Sequence, residues 1–361
     1  MRNGSLSKSH GSFFLRVYVN GKQRRINLGR VERFRSKKAV DDAAREALIS
    51  IRRSDPSGRL TLTEYTRLIY LPIIKSRVRH STYEGYRQIY RTHIQPRPEA
   101  KLALWEYSTH EVQRLLNAVA EEKSLTTTTL KHIKALLSGI FRMAIIAKER
   151  SGSNPVHEAI LPTYSARQPG DTVAYDLVTI QAVLPLIQIE VRAALAIAFY
   201  SGLRRSEIQG LHWEDYDGQS ITVRRSVFHG RESAPKSKAS RSTVPVIPAL
   251  KAILDEYRVT VEGEGPLFPT QLDDLTRRPL RHAFAEVGSR WVGFHAARRG
   301  LASNLFALGV EPGVVQKILR HSSLAVTMTH YVKVGDSQKQ DAMDRFSRSL
   351  DTRREQDADG A

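Results

Sequence analysis

Cysteine is absent from these 361 residues. Its absence excludes disulfides, thiol catalysis and thiolate metal sites, and it accords with a reducing cytoplasm as the expected location. Long apolar runs are missing too. No stretch approaches the roughly 18 residues that a membrane-spanning helix requires, and the basic N-terminus has no apolar signal core. The expectation is a soluble, intracellular protein with no membrane partner. No internal repeat is present. Acids are scarce: 37 Asp and Glu stand against 56 Lys and Arg, a net charge of +19. Those of the C-terminal half are scattered, with none of the clustered carboxylates that hold magnesium in phosphoryl chemistry.

What is present is positive charge, unevenly spread. Residues 1–60 hold 15 basic and 5 acidic side chains, residues 61–168 hold 16 and 9, and residues 169–361 hold 25 and 23. Such an excess favours a polyanionic partner, nucleic acid before membrane. The first two regions are expected to grip it broadly, and the nearly neutral last one to place its basic groups individually. The length implies two or three domains, and 41% hydrophobic residues suffice for real cores.

Residues 13–19 are aromatic and β-branched and predict a strand. Asn20-Gly21 is a short-hairpin turn signal, and residues 24–28 return as the partner strand. Ser36 caps a predicted helix to about residue 53. This small unit would expose Arg16, Lys22, Arg24 and Arg25 to nucleic acid. A linker signal at 55–58 follows. Four helices are then predicted: 61–77 with a kink at Pro72, 81–94 capped by Ser81, 109–122 capped by Ser108, and 126–148. The hydroxyls of residues 126–129 and the amines of Lys131 and Lys134 suit phosphate oxygens. Residues 164–170 link to a last region of helices at 177–187, 190–200, 248–260, 276–287, 294–308, 312–320, 325–331 and 336–350. Strands are expected at 221–227 and 243–246 with a Lys- and Ser-rich turn between them, and the charged tail is expected to be disordered.

The chemistry lies in that last region. Breaking a phosphodiester needs a nucleophile, neutralised non-bridging oxygens and a proton for the leaving oxygen. Arginine matches phosphate bidentately and stays charged, so Arg204 and Arg298 are candidate clamps. A tyrosine, with a pKa of about 10, attacks once deprotonated, and Tyr331 is the candidate. A lysine in a turn, Lys236 or its competitor Lys238, can protonate the departing 5′ oxygen. His295 and His321 can share proton transfer or donate hydrogen bonds. Singly each signal is weak, and the ordered set carries the case.

The local frames resemble the tyrosine recombinase (phage integrase) family. Ser201-Gly-Leu-Arg204-Arg-Ser-Glu207 is similar to its first arginine box, and Pro235-Lys236-Ser-Lys238 to its β-hairpin lysine segment. His295-Ala-Ala-Arg298 is similar to its H-x-x-R box. Leu319-Arg-His321 and His330-Tyr331 resemble its second histidine and its nucleophile. The resemblance implies a multidomain, mainly α protein: a small α+β arm-binding domain at 1–57, an all-α core-binding domain at 61–163, and a mixed, mainly α catalytic domain with a small β-sheet at 171–350, before a tail at 351–361. It implies that Arg204 and Arg298 bind the scissile phosphate, Lys236 acts as general acid, His295 and His321 assist, and Tyr331 forms a 3′-phosphotyrosyl bond. It further implies no cofactor and no metal, and four protomers acting on two DNA duplexes. A directionality factor or a host DNA-bending protein would be accessory partners. The last helix, 336–350, is a candidate for docking onto a neighbouring subunit.

The resemblance has departures. Arg320 stands before His321 where the family often carries glycine, a residue that relieves a strained turn, so the conformation there is an open point. Arg299 replaces a common histidine. Glu207 is expected to orient its neighbours, not to react. Integration or excision of a mobile element is the leading expectation, because the extra basic N-terminal unit permits binding at sites flanking the crossover. The alternatives are a Xer-like chromosome dimer resolvase, a strand-swivelling topoisomerase and a DNA-binding protein with a decayed active site.

Overall fold

A computed structural model describes residues 5–19, 22–54, 60–123, 125–163, 172–233, 242–261, 263–321, 323–325 and 328. The chain divides into two compact units, Met1–Gly170 and Asp171–Ala361. Among the described residues no helix is long and apolar enough to cross a membrane.

The first unit opens with an antiparallel sheet, β1 (Ser5–Ser9), β2 (Ser12–Val19) and β3 (Lys22–Arg30), in that order. The β2–β3 hairpin is the expected one, although Asn20 and Gly21 lie outside the described residues. β1 was not expected: its polar sequence has no apolar alternation, and it is held by backbone pairing to β2. The alternation of β2 puts Leu15 and Val17 on the buried face, where they join Leu28 and pack with Val40 and Ala44 of α1 (Lys37–Ser54). Ser36 Oγ accepts from the Ala39 N–H at 3.2 Å, as a helix cap should. Arg16 and Arg25 are direct cross-strand partners and both are exposed, the Arg25 guanidinium lying 3.9 Å from the Phe14 ring centroid. Arg24 is exposed opposite Val17, while the side chain of Lys22 is outside the described residues.

The rest of this unit is helical. Thr61 and Glu64 form a reciprocal capping box over α2 (Leu62–Tyr65), with hydrogen bonds of 3.1 and 3.2 Å. A π turn, Thr66–Tyr70, then leads into α3 (Leu71–Arg77). The kink expected at Pro72 is thus a π turn just ahead of it, which leaves the proline in the first turn of α3, where its missing N–H is tolerated. α4 (His80–Ile89) starts before the expected cap: Arg79 holds the N-cap position and Ser81 is already helical. A second π turn, Tyr90–Ile94, extends it. α5 (Thr109–Lys123) follows Ser108, whose Oγ accepts from the His110 N–H at 3.1 Å, and α6 (Thr127–Ile146) follows the Thr126 cap. The core forms where Tyr65, Tyr90, Leu115, Leu137 and Phe141 meet.

The second unit is built around one helix. It comprises α7 (Leu177–Val183), α8 (Ile189–Tyr200), α9 (Arg205–Ile208), α10 (Pro248–Val259), α11 (Leu272–Glu286), α12 (Phe294–Ala307) and α13 (Pro312–Leu319). Beyond its first turn, which carries Glu190 and Arg192, α8 is apolar all round, so it is a core helix. Every residue from Ala193 to Phe199 is buried, and α10, α11 and α12 pack around it. Small residues let α12 approach closely. A Cβ at Gly300 would run into the Tyr175 carbonyl oxygen and lie 2.8 Å from the Phe199 ring. Gly300→Ala is therefore expected to cost about 1–3 kcal/mol of stability, read as a lower urea midpoint at unchanged slope.

Two expectations are corrected here. Residues 221–227 are not one strand. β4 (Ser220–Thr222) pairs with β7 (Thr243–Pro245), and β5 (Ser226–Phe228) pairs with β6 (Arg231–Ser233). Between β4 and β5, Arg224 and Arg225 ion-pair with Asp215, and Arg225 also with Glu214 at 2.7 Å, which takes this segment out of a single ladder. α11 begins four residues before Thr276 and accommodates Pro279 inside it. Its first N–H, at Leu272, donates to Gln209 Oε1 at 2.6 Å, a partner 63 residues away that no local pattern reveals. Of the helix expected at 325–331, residues 325 and 328 are described and helical. The helix at 336–350, the tail, the linkers at 55–58 and 164–170, and the Lys- and Ser-rich turn lie outside the described residues.

Candidate active site

The site assembles where α8 ends. Ser201 Oγ donates to the Ile197 carbonyl at 2.6 Å, and the chain then turns at Gly202 with φ +63°. That turn requires glycine twice over. The conformation is left-handed, and a Cβ would lie 2.8 Å from Leu319 and 3.0 Å from Leu301. Buried Leu203 follows, and Arg204 takes the N-cap position of α9. α9 places Glu207 one turn on, 2% exposed. Its carboxylate accepts from the Arg204 backbone N–H at 2.9 Å and from Arg204 Nη1 at 2.7 Å.

Arg298 arrives from the middle of α12 and is 2% exposed. Its Nη1 donates to the Gly202 carbonyl and its Nη2 to the Leu319 carbonyl, so one guanidinium ties the end of α8 to the end of α13. Burial pushes its pKa down to about 9. The nearby charges of Arg204 and Arg320 push the same way, and Glu207 opposes them. Arg320 ends α13 with φ 55° and ψ 43°. Its Nη2 donates to Glu207 Oε2 at 2.8 Å, and its carbonyl accepts from Arg204 Nη2 at 3.5 Å. Burial lowers the pKa of Arg320 as well, and Glu207 counteracts it. Among the described residues, Nε of Arg298 and Nε and Nη1 of Arg320 are buried donors without a hydrogen-bond partner. Buried donors left so are costly, and an oxyanion is a chemically matched acceptor for them.

Of the residues singled out in the sequence, the fold brings Arg204 and Arg298 together across 93 intervening positions. Glu207 does orient its neighbours, through three hydrogen bonds. His295 is exposed in the first turn of α12, one turn ahead of Arg298. His321 is half-buried directly after Arg320; its N–H donates to the Gln316 carbonyl at 3.1 Å, and its carbonyl accepts from Gln316 Nε2 at 3.2 Å. Arg299 Nε donates to the Val173 carbonyl at 2.9 Å. Lys236, Lys238 and Tyr331 lie outside the described residues. In the first unit Lys131 is exposed, but Lys134 Nζ donates to the Ala159 carbonyl at 2.5 Å and to that of His157 at 3.4 Å. Its ammonium tethers the segment after α6. Sequence reasoning missed Arg320 as a member of the cluster. The signal available was its place beside His321 in the motif.

Fold and site together define a mainly α-helical domain with a buried arginine centre and short strand pairs, the architecture of the integrases. Residues 176–338, most of the second unit, match the family model described as "Phage integrase family", so this part of the chain is similar to the tyrosine recombinases. The chain is 27% identical over 190 residues to a tyrosine recombinase XerC-like protein of Caldanaerobacter subterraneus, covering 43% of this chain and 49% of that one. To the tyrosine recombinase XerC of Bacillus pumilus it is 24% identical over 309 residues, covering 80% of this chain and 99% of that one. The chain spans about half the length of the first three curated relatives it matches. Among solved structures, the Tn1549 transposon integrase in complex with transposon right-end DNA superimposes with a TM-score of 0.63 at 18% identity, over 80% of this chain and 100% of that one. A lambda integrase dimer bound to a COC′ core site gives 0.57 at 20% identity, over 90% and 93%. These structural likenesses bear on fold.

Proposed function

We propose that the protein is a site-specific tyrosine recombinase that cleaves and rejoins double-stranded DNA through a 3′-phosphotyrosyl bond, and that it integrates or excises a mobile element. The observation that carries this is the meeting of Arg204 and Arg298, brought from separate helices, around buried Glu207, which bonds Arg204 and Arg320, beside unpartnered guanidinium donors. In this reading the two arginines hold the scissile phosphate and stabilise the charge that builds on its oxygens. The Tyr331 oxygen attacks phosphorus, and the P–O5′ bond breaks. Lys236 supplies the proton to the 5′ oxygen, while His295 and His321 donate hydrogen bonds or move protons. The phosphotyrosine retains the energy of the broken bond, so a free 5′-hydroxyl from a partner strand reverses the step without a nucleotide or a metal. Four protomers on two duplexes would exchange the strands. The solved relatives include integrase bound to DNA and a lambda integrase tetramer on a Holliday junction, which supports this assembly.

The N-terminal sheet supports a second DNA grip. Arg16 directly opposite Arg25 is a like-charge pair, unfavourable by itself and relieved by a polyanion. We therefore assign residues 1–57 to DNA flanking the crossover, 61–163 to the core site, with Lys131 toward phosphate, and 171–350 to catalysis. Deleting residues 1–60 is expected to weaken binding to flanking DNA and to flatten the dependence of affinity on salt, by about 0.9 in log–log slope per lost phosphate contact. Cleavage of a core site should persist. Unchanged binding across a salt titration would remove the assignment.

The second reading is a Xer-like resolvase of chromosome dimers. It draws on the XerC relative matched over 99% of its length. Recombination of a repeated dimer-resolution site, with no use of flanking arm sites, would favour it. The central test is trapping on a nicked suicide substrate in EDTA. A covalent adduct mapping to Tyr331 is expected, and a metal requirement would overturn the mechanism.

A further inference from the structure

Arg320 stands where a glycine is common in the resembling motif, and its backbone is left-handed. A side chain in that conformation is strained, so other contacts must hold it there. The guanidinium is buried and its Nη2 reaches Glu207 Oε2 at 2.8 Å. The same oxygen accepts from the Arg204 N–H, and the other takes Arg204 Nη1. One buried carboxylate is thus shared by two arginines of unlike exposure: the side chain of Arg320 is 3% exposed and that of Arg204 33%. The left-handed turn also directs two consecutive carbonyls, of Leu319 and Arg320, to the guanidinium groups of Arg298 and Arg204.

The charge balance is decisive. Glu207 is buried as an acceptor of several N–H groups and needs a cation beside it. If Arg204 were that cation alone, its charge would be shared between Glu207 and any arriving phosphate. With Arg320 present, the four groups carry three positive charges and one negative, and the more exposed guanidinium keeps its charge for a ligand.

We infer that Arg320 is a positioning residue of the phosphate site: by engaging Glu207 from the buried side, it frees the charge of Arg204 for the scissile phosphate and holds the Leu319–Arg320 turn against both arginines. This rests on the proposed function, since the cluster is taken as the scissile-phosphate site.

The test compares Arg320→Gly, which removes charge and strain together, with Arg320→Met, which removes the charge alone. Adduct formation on a suicide substrate is measured at saturating DNA, with DNA affinity measured in parallel. Both variants are expected to form adduct between about tenfold and a hundredfold more slowly, with affinity changed less than twofold. In a Glu207→Gln background most of that loss should vanish, because the carboxylate that Arg320 neutralises is gone. Wild-type rate in Arg320→Gly would overturn the inference. So would a loss undiminished in the Glu207→Gln background, or one confined to affinity. An NMR titration of the Arg298 guanidinium needs no catalysis: its midpoint should rise in both variants, because the Arg320 charge helps hold it down. An unmoved midpoint also overturns the inference. If the wild type forms no adduct, it is the functional reading that fails, and the titration alone decides the role of Arg320.

Discussion

Arg298→Lys is expected to slow adduct formation at saturating DNA by about a thousandfold. Arginine is needed here for its shape. Two Nη groups reach the carbonyls of Gly202 and Leu319, which belong to different helix ends, and Nε remains available. A lysine ammonium is a single point and cannot span both carbonyls while facing a phosphate. The same substitution strands a buried carbonyl, so stability should fall by about 1–3 kcal/mol. A loss of stability without a loss of rate would make Arg298 purely structural.

The pH dependence follows from the depressed pKa of Arg298. Below about 9 the group is charged in both folded and unfolded chains. Between about 9 and its ordinary value the unfolded chain binds more protons, so this group's contribution to stability rises with pH there. Phosphate binds the charged form. The second-order rate of cleavage should therefore fall above about pH 9, while the rate at saturating DNA falls only at higher pH, because a bound phosphate anion restores the proton's affinity. Coincident profiles would mean that Arg298 does not meet the phosphate.

Tyr331→Phe is expected to abolish the covalent adduct to the limit of detection. It deletes one oxygen and leaves the ring, so DNA affinity should stay within about twofold of wild type. The two readouts separate a nucleophile from a packing residue. An adduct that survives the substitution would relocate the nucleophile. A wild type that binds the site but never cleaves would favour the decayed DNA-binding protein over the recombinase.

Much of this protein was legible before folding. Helix spans followed from apolar spacing and caps, because both are local: Ser36, Thr126 and the boundaries of α8 and α12 stand near where the pattern put them. The misses were mostly long-range. β4 pairs with β7, and Gln209 caps a helix 63 residues away, through contacts that neighbouring residues do not encode, whereas the missed β5–β6 pairing is a local hairpin turning at His229-Gly230. The site divides the same way. Arg204, Glu207, His295, Arg298 and His321 were readable as residue types in recognisable frames, and the uneven charge pointed to a polyanion by arithmetic alone. Only the tertiary structure decided that Arg204 shares Glu207 with Arg320 and that Arg298 lies beside them. Only it decided that Arg320 bends left-handed to do so. The reason is physical: spacing along a chain sets which side chains share a helix face, whereas the meeting of α9, α12 and α13 depends on how the apolar body of α8 buries itself among its neighbours.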